Sequence, residues 1–487
     1  MVGLARREDS TSRGPYQSRR HDTFVDRATA PDNHAAMDIT RSSAADITLA
    51  VRSRRISAKE VVEAHLVRID RVNPAVNAIV RLDAEGALDS ADRADAALAR
   101  GENIGPLHGV PFTLKDMHGA RGMLGSLGSR ASEQMAGEDG LIAERLKKAG
   151  GILLGKTNMS NGVQTSSEQF GRTSNPYDLA RSPGGSSGGS AAAIAAFLSP
   201  FDVGTDLSGS IRMPAHFTGI FGLRPTTHRI PLAGMIHAPP GVPRIDRVFS
   251  AAGPMARTVG DAALVFRVLA GADPRDPNVP PVPVGDEETC ELGGLRVAIA
   301  PTIAGIRITR EISGALEKLA ANLSRAGARV ETREPIPFEE LLAAFRRLFR
   351  VMLSSASRAA GGRGTTPHDV VVALEERDRF IVTLEHFFAD FDVFVCPAAI
   401  CTAFPHGPPG SAVDVDGEPS PSICIDHPTI LATYTGAPSL VVPIALGTHG
   451  LPIGAQLVAP RFRDERLLAI GAAIAKVVEP LPGPSIG

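Results

Sequence analysis

Three stretches of the chain carry residue types at spacings that can do chemistry. The first is SPGGSSGGS, Ser182–Ser190. Glycines lack a Cβ and let a backbone approach a substrate closely, while a serine hydroxyl becomes a nucleophile only beside a base. Within it, GGSSG (Gly184–Gly188) fits the GxSxG pattern of a nucleophile elbow. An elbow needs an apolar strand directly before it, and TSNPYDLARSP is polar and broken by proline, so Ser186 does not read as an elbow nucleophile. The second is GGILLGKT (Gly150–Thr157), a literal match to the phosphate-binding pattern GxxxxGK[ST]. Its GILL core reads as a buried strand rather than an open loop, and a helix precedes it instead of following. Nucleotide binding at Gly150–Thr157 therefore stands only as an alternative from another class of function. The third is GTDLSGSIRMPA around Ser210. Taken singly, Ser210 reads as a helix N-cap, Ser186 as a turn residue and Lys115 of TLKDM as a solvated charge.

Other chemistries lack their residues. There is no HExxH or close histidine pair, and Cys290, Cys396, Cys401 and Cys424 are scattered without a CxxC. The expectation is no metal, no cofactor and reduced thiols.

The elements that must position these residues alternate between helix and strand. Ser57 is placed to cap a helix through AKEVVEAHLVRIDRV, with Pro74 as its stop. Ala84–Leu98 is a second helix. Val110–Leu114 is a short apolar strand that delivers Lys115 at its end, and GLIAERLKKAGGILLGKTNM is helix, glycine break, strand. The helix in SSGGSAAAIAAFL, the strands in LRVAIAP, FDVFVCPA, LVVPIAL and LPIGAQLVAP, and a last helix over Asp464–Ala475 continue the alternation. This predicts an α/β fold: one large domain with a mixed, mostly parallel sheet covered by helices on both faces. Two Pro-rich stretches, Asp273–Glu288 and Pro405–Ser422, read as long surface loops, the second lining a substrate entrance. Residues 1–36, with six arginines, five acids and little apolar content, read as a disordered tail, and residues 37–487 as the catalytic domain.

A formal charge of −2 gives no electrostatic reason to expect nucleic acid, and no apolar run is long enough to span a bilayer. With no secretory h-region, the expectation is a cytoplasmic protein, monomer or homodimer, without membrane or nucleic-acid partners.

Beyond single motifs, an ordered set recurs along the chain: HGVPFTLKD, GKTNMS, SNPYDLARSPGGSSGGSAAAIAA, GTDLSGSIRMPA, FGLRPT and TGAPSLVVPIA with GLPIGAQLVAP. In this order they resemble the amidase signature family of serine hydrolases, from about Asp38 to the C-terminus. The resemblance implies a Ser–cisSer–Lys triad without histidine. Ser210 is then the nucleophile, Ser186 the second serine behind a cis Gly185–Ser186 bond, and Lys115 the base. The spacing between the two serine segments selects Ser186 over Ser187. The resemblance further implies an oxyanion site from the backbone amides of Leu207, Ser208, Gly209 and Ser210, with Gly185 beside the substrate. One departure stands out: the family commonly has GGS where this chain has SGS, placing a side chain at Ser208.

A lysine can act as base only when neutral, which burial brings about. Lys115 is expected to take the Ser186 proton, Ser186 that of Ser210, and Ser210 to attack the acyl carbonyl. The implied activity is amidase, with a small-molecule amide, ester or carbamate as substrate. The alternative within the family is the glutamine-hydrolysing subunit of a tRNA-dependent amidotransferase. Arg212, Asp206 and Asp116 are expected to brace the structure, and His118 and His216 to be satisfied buried histidines.

Overall fold

An 11-stranded sheet organises the computed structural model, which describes residues 38–160, 166–236, 246–286, 288–357, 365–408, 410–421 and 427–486. The tail expected over residues 1–36, and Cys424, lie outside the described residues. In chain order the strands are β1 (Ile79–Leu82), β2 (Pro111–Lys115), β3 (Ile152–Thr157), β4 (Phe201–Asp206), β5 (Phe221–Arg224) and β6 (Ala251–Ala256). They continue with β7 (Arg296–Ile299), β8 (Arg329–Thr332), β9 (Val393–Pro397), β10 (Ser439–Leu446) and β11 (Pro452–Val458). Their order across the sheet is β1-β3-β2-β4-β6-β5-β10-β11-β9-β7-β8.

Parallel pairing runs through two blocks. In one, β2 lies between β3 and β4; in the other, β7 lies between β8 and β9. Helices Leu141–Lys148 and Arg310–Arg325 supply the crossovers that parallel neighbours require. Between the blocks the strands pair antiparallel. The prediction of parallel pairing thus holds for the two βαβ blocks. The middle of the sheet differs because short links such as Gly447–Gly450, joining β10 to β11, can only close a hairpin. Every residue of β2, β3, β4, β6 and β9 is buried, as expected for strands covered on both faces.

Helix α1 (Ala58–Val76) is capped by Ser57 as predicted, and Glu60 completes a capping box. Pro74 does not stop it. The helix runs two residues further and ends at Asn77 in the left-handed conformation, since a proline in the last turn removes only one internal hydrogen bond. The Pro405–Ser422 stretch is not loop throughout: Val413–Val415 and Glu418–Ser420 pair as a hairpin.

Candidate active site

Three segments meet at the C-terminal ends of β2 and β4. Lys115 is the last residue of β2 and is fully buried. The Ser182–Ser187 loop enters α2 (Gly188–Ala195), which is buried along its whole length. The Gly185–Ser186 peptide is cis. Strand β4 ends at Asp206, and the loop over 207–211 then turns into α3 (Arg212–Thr218). The Ser187 N–H donates to the Ser210 carbonyl at 3.3 Å, tying the two serine loops together.

Lys115 Nζ touches three hydroxyls: Ser186 Oγ at 2.7 Å, Ser187 Oγ at 2.9 Å and Thr205 Oγ1 at 2.7 Å. Burial pulls its pKa down to about 7, against the opposing pull of Asp206 and Asp202. A neutral amine has two N–H donors and one lone pair. The Ser187 hydroxyl proton is committed to the Thr205 carbonyl at 3.2 Å, and that of Thr205 to Met117 Sδ at 3.2 Å. Both hydroxyls must therefore accept from the amine, which leaves its lone pair facing Ser186. Sequence reading passed over Ser187 in favour of Ser186 and missed Thr205 and Met117. The adjacency of Thr205 to Asp206 in GTD was the available signal.

The 206–212 turn is wrapped around the Asp206 carboxylate. It accepts from the N–H groups of Gly209 (2.8 Å) and Ile211 (3.1 Å) and from the Arg212 guanidinium at 2.8 and 3.0 Å. Arg224 stands 3.6 Å away. Burial by itself would raise the Asp206 pKa, but Arg212, Arg224 and the amide donors hold it well below the usual carboxylate range. Arg212 also donates to Thr429 O at 2.6 Å and Gln456 Oε1 at 2.8 Å. It braces the loop as expected.

The oxyanion expectation needs one correction. The Gly209 N–H is already given to Asp206, so it is not free to stabilise an oxyanion. The amides of Leu207, Ser208 and Ser210 have no acceptor among the described residues. Ser208, where the family pattern has glycine, is half-buried, and its carbonyl accepts from the Thr429 hydroxyl at 2.5 Å. Gly185 is buried beside Ser186. The Ser186 and Ser210 hydroxyls share no hydrogen bond among the described residues; their loops are joined by the Ser187 N–H. Near Thr429, a cavity of about 490 Å³ is lined by Arg307, Arg346, Ile400 and His427 together with Pro419–Pro421, part of the predicted entrance loop.

GGILLGKT forms no phosphate loop. Ile152–Thr157 is the buried strand β3, and Lys156 Nζ is taken by the carbonyls of Asp116, at 2.9 Å, and His118. His118 bonds Val203 O at 2.9 Å, and His216 accepts from the Gly454 N–H at 2.9 Å through Nδ1 while its Nε2 bonds Cys401 O at 3.2 Å, both as buried structural histidines. Asp116 is structural too, held by Arg81 and Ser126. No His/Cys/Asp/Glu group among the described residues could hold a metal ion.

The Amidase family model matches residues 60–367 and 358–468. The chain belongs to the amidase signature family. It is 35% identical to a subunit of the glutamyl-tRNA(Gln) amidotransferase of Acidothermus cellulolyticus, over 90% of this chain and 94% of that protein. Among solved structures, it superposes with a TM-score of 0.80 and 27% identity on a chain described in connection with an s-triazine catabolic enzyme, covering 91% of this chain and 100% of that one. A bacterial aryl acylamidase gives a TM-score of 0.77 and 28% identity, over 90% and 96% of the two chains. The chain is thus an amidase acting on C–N bonds. The amidotransferase relative favours the alternative stated for the family over a free-standing amidase. It also overturns one expectation. A small-molecule substrate with no nucleic acid and no partner beyond a second copy does not fit a relative that is, by name, one subunit of a glutamyl-tRNA amidotransferase. Near-neutral charge misled here, because it bears on this chain's own field and not on what an assembly carries. No helix among the described residues is long and apolar enough to cross a membrane.

Proposed function

We propose that this protein is the glutamine-hydrolysing subunit of a tRNA-dependent amidotransferase and releases ammonia through an acyl-enzyme on Ser210. The observation that carries the chemistry is the buried Lys115, its pKa lowered to about 7 and its Nζ 2.7 Å from Ser186 Oγ. Lys115 takes the Ser186 proton, and Ser186 turns to take that of Ser210. Ser210 Oγ attacks the amide carbonyl, whose oxygen is received by the free amides of the 207–210 loop. Collapse of the tetrahedral intermediate breaks the C–N bond, and the proton returns through Ser186 to the leaving nitrogen. Water then attacks the ester by the same relay and frees the acid. The subunit setting is supported by the amidotransferase relative at 35% identity over nearly its full length.

The test is glutamine hydrolysis by the full chain, alone and with the other subunits of such an amidotransferase, alongside an anilide, an ester and a carbamate. The proposal expects ammonia release from glutamine that rises when the partners are added and vanishes in Ser210→Ala. Anilide turnover by the lone chain with no response to partners would overturn the subunit role. Turnover surviving in Ser210→Ala would overturn the chemistry.

A further inference from the structure

We infer that the buried carboxylate of Asp202 acts beside Asp206 as a counter-charge to Lys115, and so shifts the pH range in which the serine relay works. The inference rests on the reading of Lys115 as the base. Strands β2 and β4 are parallel neighbours, with Thr113 opposite Asp202. Thr113 and Lys115 stand two residues apart on β2 and so project from the same face. The Thr113 hydroxyl donates to Asp202 Oδ2 at 2.7 Å, which places the carboxylate on that face. On the other side of β2, Thr157 pairs with Lys115, and its hydroxyl donates to the same Oδ2 at 3.0 Å. Ser190, from the first turn of α2, meets Thr157 Oγ1 at 2.9 Å and closes the cluster from above. Asp202 is therefore a fully buried diagonal neighbour of the lysine across the strands.

Two hydroxyls donate to Oδ2, which favours the carboxylate, while Oδ1 has no partner among the described residues. Burial raises the Asp202 pKa overall, against the opposing pull of the hydroxyl donors and the Lys115 charge. The other charged groups nearby have partners of their own, though Asp206 also raises the proton affinity of Lys115. Asp206, further along β4, is neutralised by Arg212 at 2.8 Å and Arg224 at 3.6 Å. Lys156 on β3 pairs with Leu114, so it projects from the opposite face, where backbone carbonyls hold it. His118 stays neutral, its pKa lowered to about 3 by burial and then by Lys156 and Lys115. From α2, the groups facing the lysine are the hydroxyls and amides of its first turn.

The experiment is the rate of Ser210 labelling by a fluorophosphonate probe from pH 5 to 9, which needs no knowledge of the natural substrate. The wild-type full chain is expected to show a midpoint near 7. Asp202→Asn keeps the side-chain shape and removes the charge. Its midpoint is expected about one pH unit lower, giving several-fold faster labelling at pH 6 and an unchanged plateau at pH 9. Asp202→Ser carries the same prediction should the asparagine variant fail to fold. A lowered Tm with an unmoved midpoint would reduce Asp202 to a packing role and overturn the inference. Lys115→Gln separates the two levels: if it labels with the wild-type midpoint, the reading of Lys115 as base fails, whatever Asp202 does.

Discussion

Lys115 carries the conflict between stability and function at the scale of one residue. Its folded pKa of about 7 lies below the ordinary value of 10.5. Between those values the unfolded chain binds more protons than the folded one, so stability rises with pH across that window. The cost of burying the lysine is fully present below pH 7. Lys115→Met, similar in length and neutral, is therefore expected to lose at least about 100-fold in acyl transfer, the scale of a lost general base, while its Tm gains relative to wild type. That gain should be larger at pH 6 than at pH 10 in a calorimetric scan; equal shifts at both would show that Lys115 is not depressed. The three residues proposed for the relay were legible in the sequence through ordered motifs, and the structure brings Lys115 and Ser186 into contact. Asp202 was not legible, because it acts through strand register, and Met117 was not, because it reaches Thr205 from the turn after β2. Which residues stand opposite Thr113 and Lys115 on β4 and β3 is fixed by pairing that no local motif reports.

At the scale of the element, two turns hold the serines, each built around one demanding position. Gly184 has φ +81°, and a Cβ there would lie 2.9 Å from Pro214 Cα of α3. Gly184→Ala is expected to cost about 1–3 kcal/mol in denaturant unfolding and to lower acyl transfer together with stability, because the strained turn and its backbone clash displace Ser186. Unchanged labelling of Ser210 in that variant would show that the loop tolerates the shift. The second turn depends on Asp206. Asp206→Ala leaves Arg212 and Arg224 buried without their carboxylate and is expected to cost about 3–5 kcal/mol. The same change frees the Gly209 amide and collapses the loop, so kcat should fall even at temperatures where the variant stays folded. Ser57→Ala is the contrasting case: loss of the capping box far from the site should cost about 1 kcal/mol and leave activity intact. Periodicity located most of these helices and strands to within a residue or two. It placed the end of α1 too early, because proline in a final turn is tolerated where proline in mid-helix is not.

For the whole molecule, the sheet explains why such distant segments converge. Lys115 and Asp206 end strands that neighbour one another in the parallel block, so both chain ends emerge on one side with α2 between them. Helix–strand alternation was enough to anticipate this block but not the antiparallel middle, which follows from short hairpin links. Composition was a poorer guide to the setting of the chemistry than to the fold. A charge of −2 argued against nucleic acid, yet one member of an amidotransferase assembly can leave tRNA contact to its partners. At this scale the account predicts that addition of the partner subunits raises glutamine turnover without moving the pH midpoint, since Lys115 and Asp202 lie wholly inside this chain. A midpoint that moves with the partners would place the titrating group at an interface.

The measurement that bears most directly on the central claim is peptide-mapped mass spectrometry of the full chain after reaction with a fluorophosphonate. The account predicts a single stoichiometric adduct on Ser210, strongly slowed in Lys115→Met and Ser186→Ala. An adduct on Ser186, or labelling of Ser210 at the wild-type rate in Lys115→Met, would contradict it.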